Sequence, residues 1–365
     1  MDKGKISGLQ LMFLVAGFVQ GSVLLISFTT SLTKHDTWLV VLSGFVLIVP
    51  VVLSYALLAK RFAGISLVRI NDIVFGRYLG KAVSIYYILF FMLTLSFNFR
   101  DLGDFYTTFL MTDTPLIFFL IVFISVCAYA VRVGIENLGR VSHLFVFTAF
   151  FIVISTFILM LDKMDFSNIL PVFELSPKIF LQGTHIIASV PFGELVTFLT
   201  IMAALNDTRH IVRNTLTGLL LGAASLLLVS LRNTFVLGSM ESVLTSPSFQ
   251  AARLIDLGTV LTRMDLLVGI GQTMMQFLKC CLFYYAIAVS ISQLLRLRSY
   301  LPMILPIGGI EAVLAVIVFQ SSVEHNLITI SAGIIYSIPV IYILPPLTLL
   351  IAGLRKLPRP NEVKQ

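Results

Sequence analysis

Three ionisable residues stand inside long apolar runs of the sequence, where a charge is costly and usually serves a function. Glu194, Lys279 and Glu311 each fall near the middle of such a run. A carboxylate at Glu194 could accept the ammonium group of a ligand, or it could bond to backbone N–H groups that an interrupted helix leaves free. Lys279 could replace a coupling cation or change its protonation state, or it could form a fixed ion pair with Glu194 or Glu311. For Glu311 we favour a structural role.

A second polar group lies towards one end of another apolar run and comprises Asn98, Arg100, Asp101 and Asp104. Arg100 and Asp104 are four residues apart, so their side chains share one face of a helix and can form an ion pair. We expect this group to line a vestibule that leads to a ligand site. The alternative is an ordinary solvated helix end.

The residue types that enzymes and metal sites require form no recognisable pattern. The five histidines are scattered, and Cys127, Cys280 and Cys281 all stand in apolar segments without metal-ligand spacing. We find no pairing of a nucleophile with a base and no phosphate-binding loop. The sequence therefore predicts no catalytic residue, no metal site and no cofactor, and it gives no support to a membrane enzyme.

The elements that must position these residues are membrane-spanning helices. Hydrophobic residues make up 58% of the 365 residues and charged residues only 12%, a composition that excludes a soluble globular domain and a disordered chain. Continuous apolar runs of about 20 residues predict an all-α polytopic membrane protein and argue against a β-barrel. The ten predicted spans are 8–31, 37–59, 82–111, 115–132, 138–161, 180–204, 214–239, 266–295, 301–320 and 327–353.

The distribution of basic residues between the loops predicts one orientation in the membrane. Of the 25 lysines and arginines, 17 fall on one side, five on the other and three inside spans. The positive-inside rule therefore places both termini and the tail 354–365 in the cytoplasm. The +7 net charge follows the short loops, so lipid explains it better than nucleic acid. On the outer side, the connection 240–265 contains Ser246-Pro247, a helix-start signal, and we expect a short amphipathic helix that acts as a surface lid.

Ten spans divide into two sets of five, which predicts a single membrane domain built from an inverted repeat, about 8–161 and 180–353. The first helix of each set carries helix-weakening residues at its middle, Gly21-Ser22 in one and Pro191 with Gly193 in the other. Interrupted helices expose backbone groups that hold zwitterions such as amino acids. Gly17 and Gly21 are also explained by close helix packing, as in other small-xxx-small pairs.

Several short motifs, in this order and spacing, resemble the B-subunit family of spore germination receptors. They are ISGLQ at 6–10, GSVLL at 21–25, GRVSHLF at 139–145, NILPV at 168–172, PFGE at 191–194, and LPP at 344–346 followed by LRK at 354–356. That family is similar to permeases of the amino acid–polyamine–organocation superfamily, whose fold is a five-plus-five inverted repeat with interrupted helices 1 and 6.

The resemblance implies a germinant-sensing subunit of the bacterial spore inner membrane that works with A and C subunits. By position it implies a ligand pocket at Gly21, Ser22, Phe192, Gly193 and Glu194, with an amino acid as the expected small-molecule germinant. The first break reads Gly-Ser-Val here, where the permeases commonly have Gly-x-Gly. The alternative function is a proton-coupled amino acid transporter, because receptor and transporter share this fold.

Overall fold

The computed structural model describes residues 4–255, 264–319, 321, 324, 325, 328 and 336–359. Within these residues the regular secondary structure is helical, apart from one isolated bridge. The α-helices in chain order are α1 (Gly8–Gln20), α2 (Val23–Thr33), α3 (Thr37–Arg61), α4 (Leu67–Phe75), α5 (Arg77–Phe105), α6 (Leu116–Val133), α7 (Ile135–Leu159), α8 (Pro177–Ile187), α9 (Phe198–Ile201), α10 (Ile211–Leu237), α11 (Pro247–Ala252), α12 (Met264–Leu294), α13 (Ile304–Ile317) and α14 (Leu344–Leu354).

The helices correspond to the ten predicted spans. Eight stretches of the described chain are long and apolar enough to cross a membrane, and Gly8–Gln20 and Leu301–Ile317 are shorter apolar helices. The stretch Ile26–Arg61 contains the last six residues of the predicted first span and the whole second span. The prediction of an all-α polytopic membrane protein is therefore confirmed, although residue 320 of the ninth span and residues 327 and 329–335 of the tenth span lie outside the described residues.

Local sequence signals explain where the two interrupted helices begin. At the start of α1, the Ser7 hydroxyl accepts the backbone N–H of Gln10 (3.2 Å), and the Gln10 side chain accepts the N–H of Ser7 (2.8 Å). This reciprocal pair is a capping box, which satisfies two N–H groups that would otherwise lack partners. At α8, the Ser176 hydroxyl accepts the N–H of Ile179 (3.4 Å), and Pro177 occupies the first helical position.

The two interrupted helices are tied together at one end. The N–H of Ile6 donates to the carbonyl of Ala204 (2.9 Å), and the N–H of Asn206 donates to the carbonyl of Ile6 (3.0 Å). The segment before α1 thus pairs with the segment that follows the second half of span 6. Further along α1, the neighbouring helix α10 approaches closely at Gly218, where a Cβ atom would lie 2.5 Å from the carbonyl oxygen of Met12.

The connection 240–265 differs from the predicted surface helix. α11 begins at Pro247, where the Ser-Pro pair predicts a helix start. However, Phe249 and four of the other five α11 residues are buried, and the Phe249 ring lies 5.3 Å from that of Phe105. The surface position is therefore wrong, because a large apolar side chain anchors the helix inside the bundle. Residues 256–263 of the predicted lid lie outside the described residues.

Candidate functional site

The first span is interrupted where the sequence reads Gly21-Ser22. α1 ends at Gln20 and α2 begins at Val23. Between them, the N–H of Ser22 donates to the carbonyl of Val19 (3.1 Å), so the last turn of α1 tightens into an i−3 pattern. Ser22 itself has φ −100° and ψ 12°, outside the helical region. The predicted break in helix 1 is confirmed.

The sixth span is interrupted in the same way before Glu194. α8 ends at Ile187, and Val190 has an extended backbone with φ −120° and ψ 102°. Pro191 explains this conformation, because a proline disfavours helical geometry at the preceding residue and donates no N–H. Helical turns resume as a tight 3₁₀ segment from Gly193, which places Glu194 in the first turn after the break. The predicted break in helix 6 is also confirmed.

The two breaks meet at the side chain of Lys279, which reaches them from α12. Its Nζ atom lies 2.6 Å from Oε2 of Glu194 and donates to the hydroxyl of Ser22 at 2.5 Å. At this distance the opposite charges of Lys279 and Glu194 form an ion pair. All three side chains are buried. The structure thus joins one group from each broken helix through a single buried cation.

A glycine at the first break makes this contact possible. A Cβ atom on Gly21 would lie 2.7 Å from the carbonyl oxygen of Met275 and 2.8 Å from Cβ of Lys279. Any larger residue at this position would push α12 away from the break. Gly21 therefore sets the distance between the helices that carry Ser22 and Lys279, and it contributes no side chain of its own.

An aromatic ring that the sequence did not single out completes the surroundings of the cation. The Nζ atom of Lys279 lies 5.5 Å from the ring centroid of Phe18, within the range of a cation–π interaction. Phe18 packs in turn against Phe198 (5.4 Å) and Phe283 (5.1 Å). The spacing in the sequence could have indicated this position for Phe18. It precedes Ser22 by four residues, which is about one helical turn, so the two side chains lie on the same side of the helix.

Phe192 and Gly193 pack against other parts of the bundle and do not contact the group formed by Ser22, Glu194 and Lys279. The buried Phe192 ring lies 6.2 Å from the ring of Phe45 on α3. A Cβ atom on Gly193 would lie 2.6 Å from the Ile341 side chain, and the Gly193 carbonyl accepts the hydroxyl of Tyr55 at 3.4 Å. These two residues lie between the break in helix 6 and its neighbours, and their part in ligand binding stays a prediction.

Glu311 on α13 is buried but does not pair with Lys279. Neither of its carboxylate oxygens has a hydrogen-bond partner among the residues that the structure describes. Of the two ion pairs that the sequence left open for Lys279, the structure therefore forms the one with Glu194.

The predicted vestibule residues divide into two kinds. Asp101 and Asp104 line a cavity of about 230 Å³ between α2, α5 and the segment that follows α10. Nε of Arg100 donates to Asp104 at 2.9 Å, which confirms the predicted ion pair, and its NH1 donates to the carbonyl of Phe319 at 2.7 Å. Arg100 thus fastens α5 to the end of α13 and does not line the cavity.

The other two vestibule contacts involve residues that the sequence did not single out. Oδ1 of Asp101 lies 3.1 Å from Nδ1 of His325. Burial, and secondly the Arg100 cation, lower the pKa of His325 to about 3, so this imidazole is neutral. Asn98 is buried away from the cavity, where its side-chain oxygen accepts Nε2 of Gln276 at 3.0 Å.

The described residues contain no group of three or more histidine, cysteine, aspartate or glutamate side chains that could hold a metal ion. Cys127, Cys280 and Cys281 are free thiols and are buried.

Comparison with known sequences decides the family. The family model described as spore germination protein matches residues 5–323. The chain belongs to the spore germination protein family. Among its relatives, spore germination protein KB of Bacillus subtilis is 28% identical over 337 residues, covering 89% of this chain and 88% of the relative. Spore germination protein B2 of the same organism is 27% identical over 258 residues, 66% of each chain. The resemblance seen in the sequence motifs is confirmed.

Solved structures similar to this member of the family are membrane transporters. A nucleobase-cation-symport-1 family transporter, Mhp1, in a closed conformation with bromovinylhydantoin, has a TM-score of 0.73 at 13% identity, covering all of this chain and 82% of its own. MhsT in complex with L-phenylalanine has a TM-score of 0.68 at 14% identity, covering 95% and 98%. At these identities the similarity shows the fold alone, which is the five-plus-five inverted repeat.

Proposed function

We propose that this protein is the membrane subunit of a nutrient germinant receptor and that it binds a small ligand, an amino acid, at the two helix breaks. The observation that carries the proposal is the contact of Lys279 with both Glu194 and Ser22. In this arrangement the lysine ammonium occupies the place that the ammonium of an amino acid would take beside Glu194.

The chemistry of the site supports exchange between these two ammonium groups. A ligand ammonium that contacts Glu194 would release Lys279 from its ion pair. The two ammonium groups would then repel each other and push α12 away from the ligand, or the Lys279 ammonium would pair with the ligand carboxylate. Either result changes how α12 packs against α1, since Gly21 leaves no spare distance between them. The protein would then have two arrangements, one with Lys279 paired to Glu194 and one with Lys279 released. A ligand that binds one of them more tightly shifts the population towards it, and a receptor requires such a shift to signal that its ligand is bound.

The remaining parts of the proposal follow the family. Relatives named as spore germination proteins support a role in triggering germination. We accordingly propose the spore inner membrane as the location, cytoplasmic termini, and A and C subunits of the receptor as partners.

The alternative is a proton-coupled amino acid transporter, and a second cavity favours it. This cavity has a volume of about 540 Å³ and is lined by Lys5, Thr200 and Tyr285, whereas the Asp101 cavity lies at the other end of the bundle. Glu194 and Lys279 lie between these two cavities. A transported solute would pass this pair on its way from one cavity to the other.

Deleting the gene and screening germination on single amino acids and sugars tests the receptor. We expect the response to one germinant to be lost and to return with the wild-type gene. Membrane vesicles that contain the protein should show no uptake of the same labelled compound. Uptake that depends on a proton gradient, with unchanged germination in the deletion strain, would favour the transporter.

A further inference from the structure

The cavity of about 230 Å³ between α2, α5 and the segment that follows α10 carries an uncompensated negative charge. It is lined by Asp101 and Asp104. Nε of Arg100 neutralises Asp104 at 2.9 Å, whereas buried Asp101 faces the neutral imidazole of His325 at 3.1 Å. Among the described residues, no lysine or arginine lies within ion-pair distance of Asp101. A buried carboxylate without a cation is costly, so the cavity favours a positively charged occupant.

Two hydroxyl groups on the α2 side of the cavity can accept hydrogen bonds from such an occupant. Ser27 donates its O–H to the carbonyl of Leu24 (2.6 Å), and Ser31 donates to the carbonyl of Phe28 (2.7 Å). A hydroxyl has one proton to donate and two lone pairs. Ser27 and Ser31 both line the cavity, and with their protons used inside α2 they offer it lone pairs.

A third serine, outside the acidic pair and outside α2, also lacks a partner. Ser246 lines the same cavity and is 4% exposed, and its hydroxyl has no hydrogen-bond partner among the described residues. A buried hydroxyl without a partner is unfavourable. An N–H group of an occupant would satisfy it.

The apolar part of the lining includes three aromatic rings. Phe28, Phe105 and Phe109 line the cavity, and the rings of Phe105 and Phe109 pack against Phe249 of α11 at 5.3 and 5.4 Å. The face of an aromatic ring attracts an organic ammonium group, and its apolar surface accepts the attached carbon chain. The lining therefore suits an organic cation better than a hydrated metal ion.

The size and charge of the cavity narrow the class of ligand further. By the same measure of volume a single water needs about 10–15 Å³, so 230 Å³ accommodates a small organic molecule. No lysine or arginine lines the cavity. The carboxylate of an amino acid bound here would have no cation to pair with and would be repelled by Asp101 and Asp104.

We propose that this cavity binds a small organic ammonium ion that has no carboxylate, such as a short alkylamine. Its ammonium group contacts Asp101 and the serine oxygens, and its carbon chain packs against the phenylalanine rings. This ligand differs in class from the amino acid proposed for Glu194, where Lys279 can serve a carboxylate. Because α2, α5 and the segment before α11 all line the cavity, the bound amine stabilises their packing.

Purified protein in detergent tests the proposal with isobutylammonium and valine, which differ by one carboxylate. Isobutylammonium chloride should raise the Tm in a saturable way, and sodium chloride at equal ionic strength should not. In Asp101→Asn the half-saturating isobutylammonium concentration should rise by roughly tenfold or more, while any Tm shift caused by valine stays the same. Asp113→Asn is the matched control, because Asp113 is exposed and does not line the cavity.

A second variant keeps the test valid if Asp101→Asn does not fold. Phe109→Leu retains the carboxylate and removes one ring, so the half-saturating isobutylammonium concentration should rise roughly two- to fivefold. Binding equal to wild type in a folded Phe109→Leu protein would contradict the aromatic contact.

Three further results would overturn the proposal. The first is wild-type protein without a saturable isobutylammonium shift, which would mean that water fills the cavity or that a proton neutralises Asp101. The second is a valine shift that Asp101→Asn removes, which would mean that the cavity accepts a carboxylate. The third is an isobutylammonium shift that survives Asp101→Asn and disappears in Glu194→Gln with Lys279→Gln, which would place the amine at the helix breaks.

Discussion

The Nζ atom of Lys279 lies 2.6 Å from Oε2 of Glu194, although the two residues are 85 positions apart in the chain and neither side chain is exposed to solvent. A pair of this kind is expensive to bury and still more expensive to break, because the remaining charge then has no partner. The pair therefore fixes the relative position of helix 6 and α12. In the proposed function, it is also the contact that a ligand ammonium would displace.

Neutralising Lys279 alone should harm the protein more than neutralising the whole pair. In Lys279→Gln the Glu194 carboxylate stays buried without its cation, and we expect a loss of about 3–5 kcal/mol in stability. Adding Glu194→Gln should restore the amount of protein in the membrane, measured by immunoblot. Glu311→Gln is the matched control and should not restore it, since Glu311 does not contact Lys279. Rescue by Glu311→Gln would contradict the pairing in the structure.

The neutral pair should also separate folding from ligand response. In the double variant Glu194→Gln with Lys279→Gln, the protein accumulates but a ligand ammonium loses its charged partner. Removing one charge-assisted contact costs about 1.5–3 kcal/mol, so the germinant concentration for half-maximal response should rise roughly tenfold to a hundredfold. A dose–response curve equal to wild type at equal protein amount would remove Glu194 from the ligand site.

Gly21 offers a test of the close approach at the first break. In Gly21→Ala the new Cβ would meet the carbonyl oxygen of Met275 at 2.7 Å, so α12 must shift, and overpacking of this kind costs about 1–3 kcal/mol. Gly309→Ala is the control, because nothing lies within 4 Å of a Cβ at that position. We expect a lower Tm in purified Gly21→Ala and no loss in Gly309→Ala. Equal Tm values for the two variants would show that α12 does not depend on this contact.

Both helix breaks could be predicted from the sequence, because each depends on local chemistry. Pro191 disfavours a helical Val190 whatever surrounds it, and Gly21-Ser22 weakens α1 in a similar way. The partner of Lys279 could not be predicted. Glu194 and Glu311 lie at similar depths in their spans, and only the packing of α12 against the breaks decides between them.

For α11, the sequence predicts where the helix begins but not that the helix is buried. Its start at Ser246-Pro247 is a local signal, and the structure has it there. Its burial depends on the distant residue Phe105, whose ring faces Phe249. An amphipathic pattern of six residues cannot reveal such a partner, since the same pattern suits a surface helix that faces lipid or solvent.

Membrane orientation is the last prediction, and the buried α11 changes how it should be measured. The uneven split of basic residues predicts that the 60–81 loop is cytoplasmic. Ser248 is unsuitable as an outer reporter, because it is 5% exposed and its hydroxyl accepts a bond from Asn233. Two exposed positions are better matched. Tyr78 is 87% exposed at the start of α5, in the segment predicted to be cytoplasmic, and Val243 is 72% exposed in the connection predicted to lie outside.

In intact cells, an impermeant thiol reagent should label Val243→Cys and leave Tyr78→Cys unlabelled, and permeabilised cells should show both labelled. The native cysteines give little background because all three are buried. Labelling of Tyr78→Cys in intact cells, with Val243→Cys protected, would reverse the orientation. In that case the cavity lined by Asp101 and Asp104 would face the cytoplasm, and a germinant arriving from outside would meet the cavity lined by Lys5 and Thr200 instead.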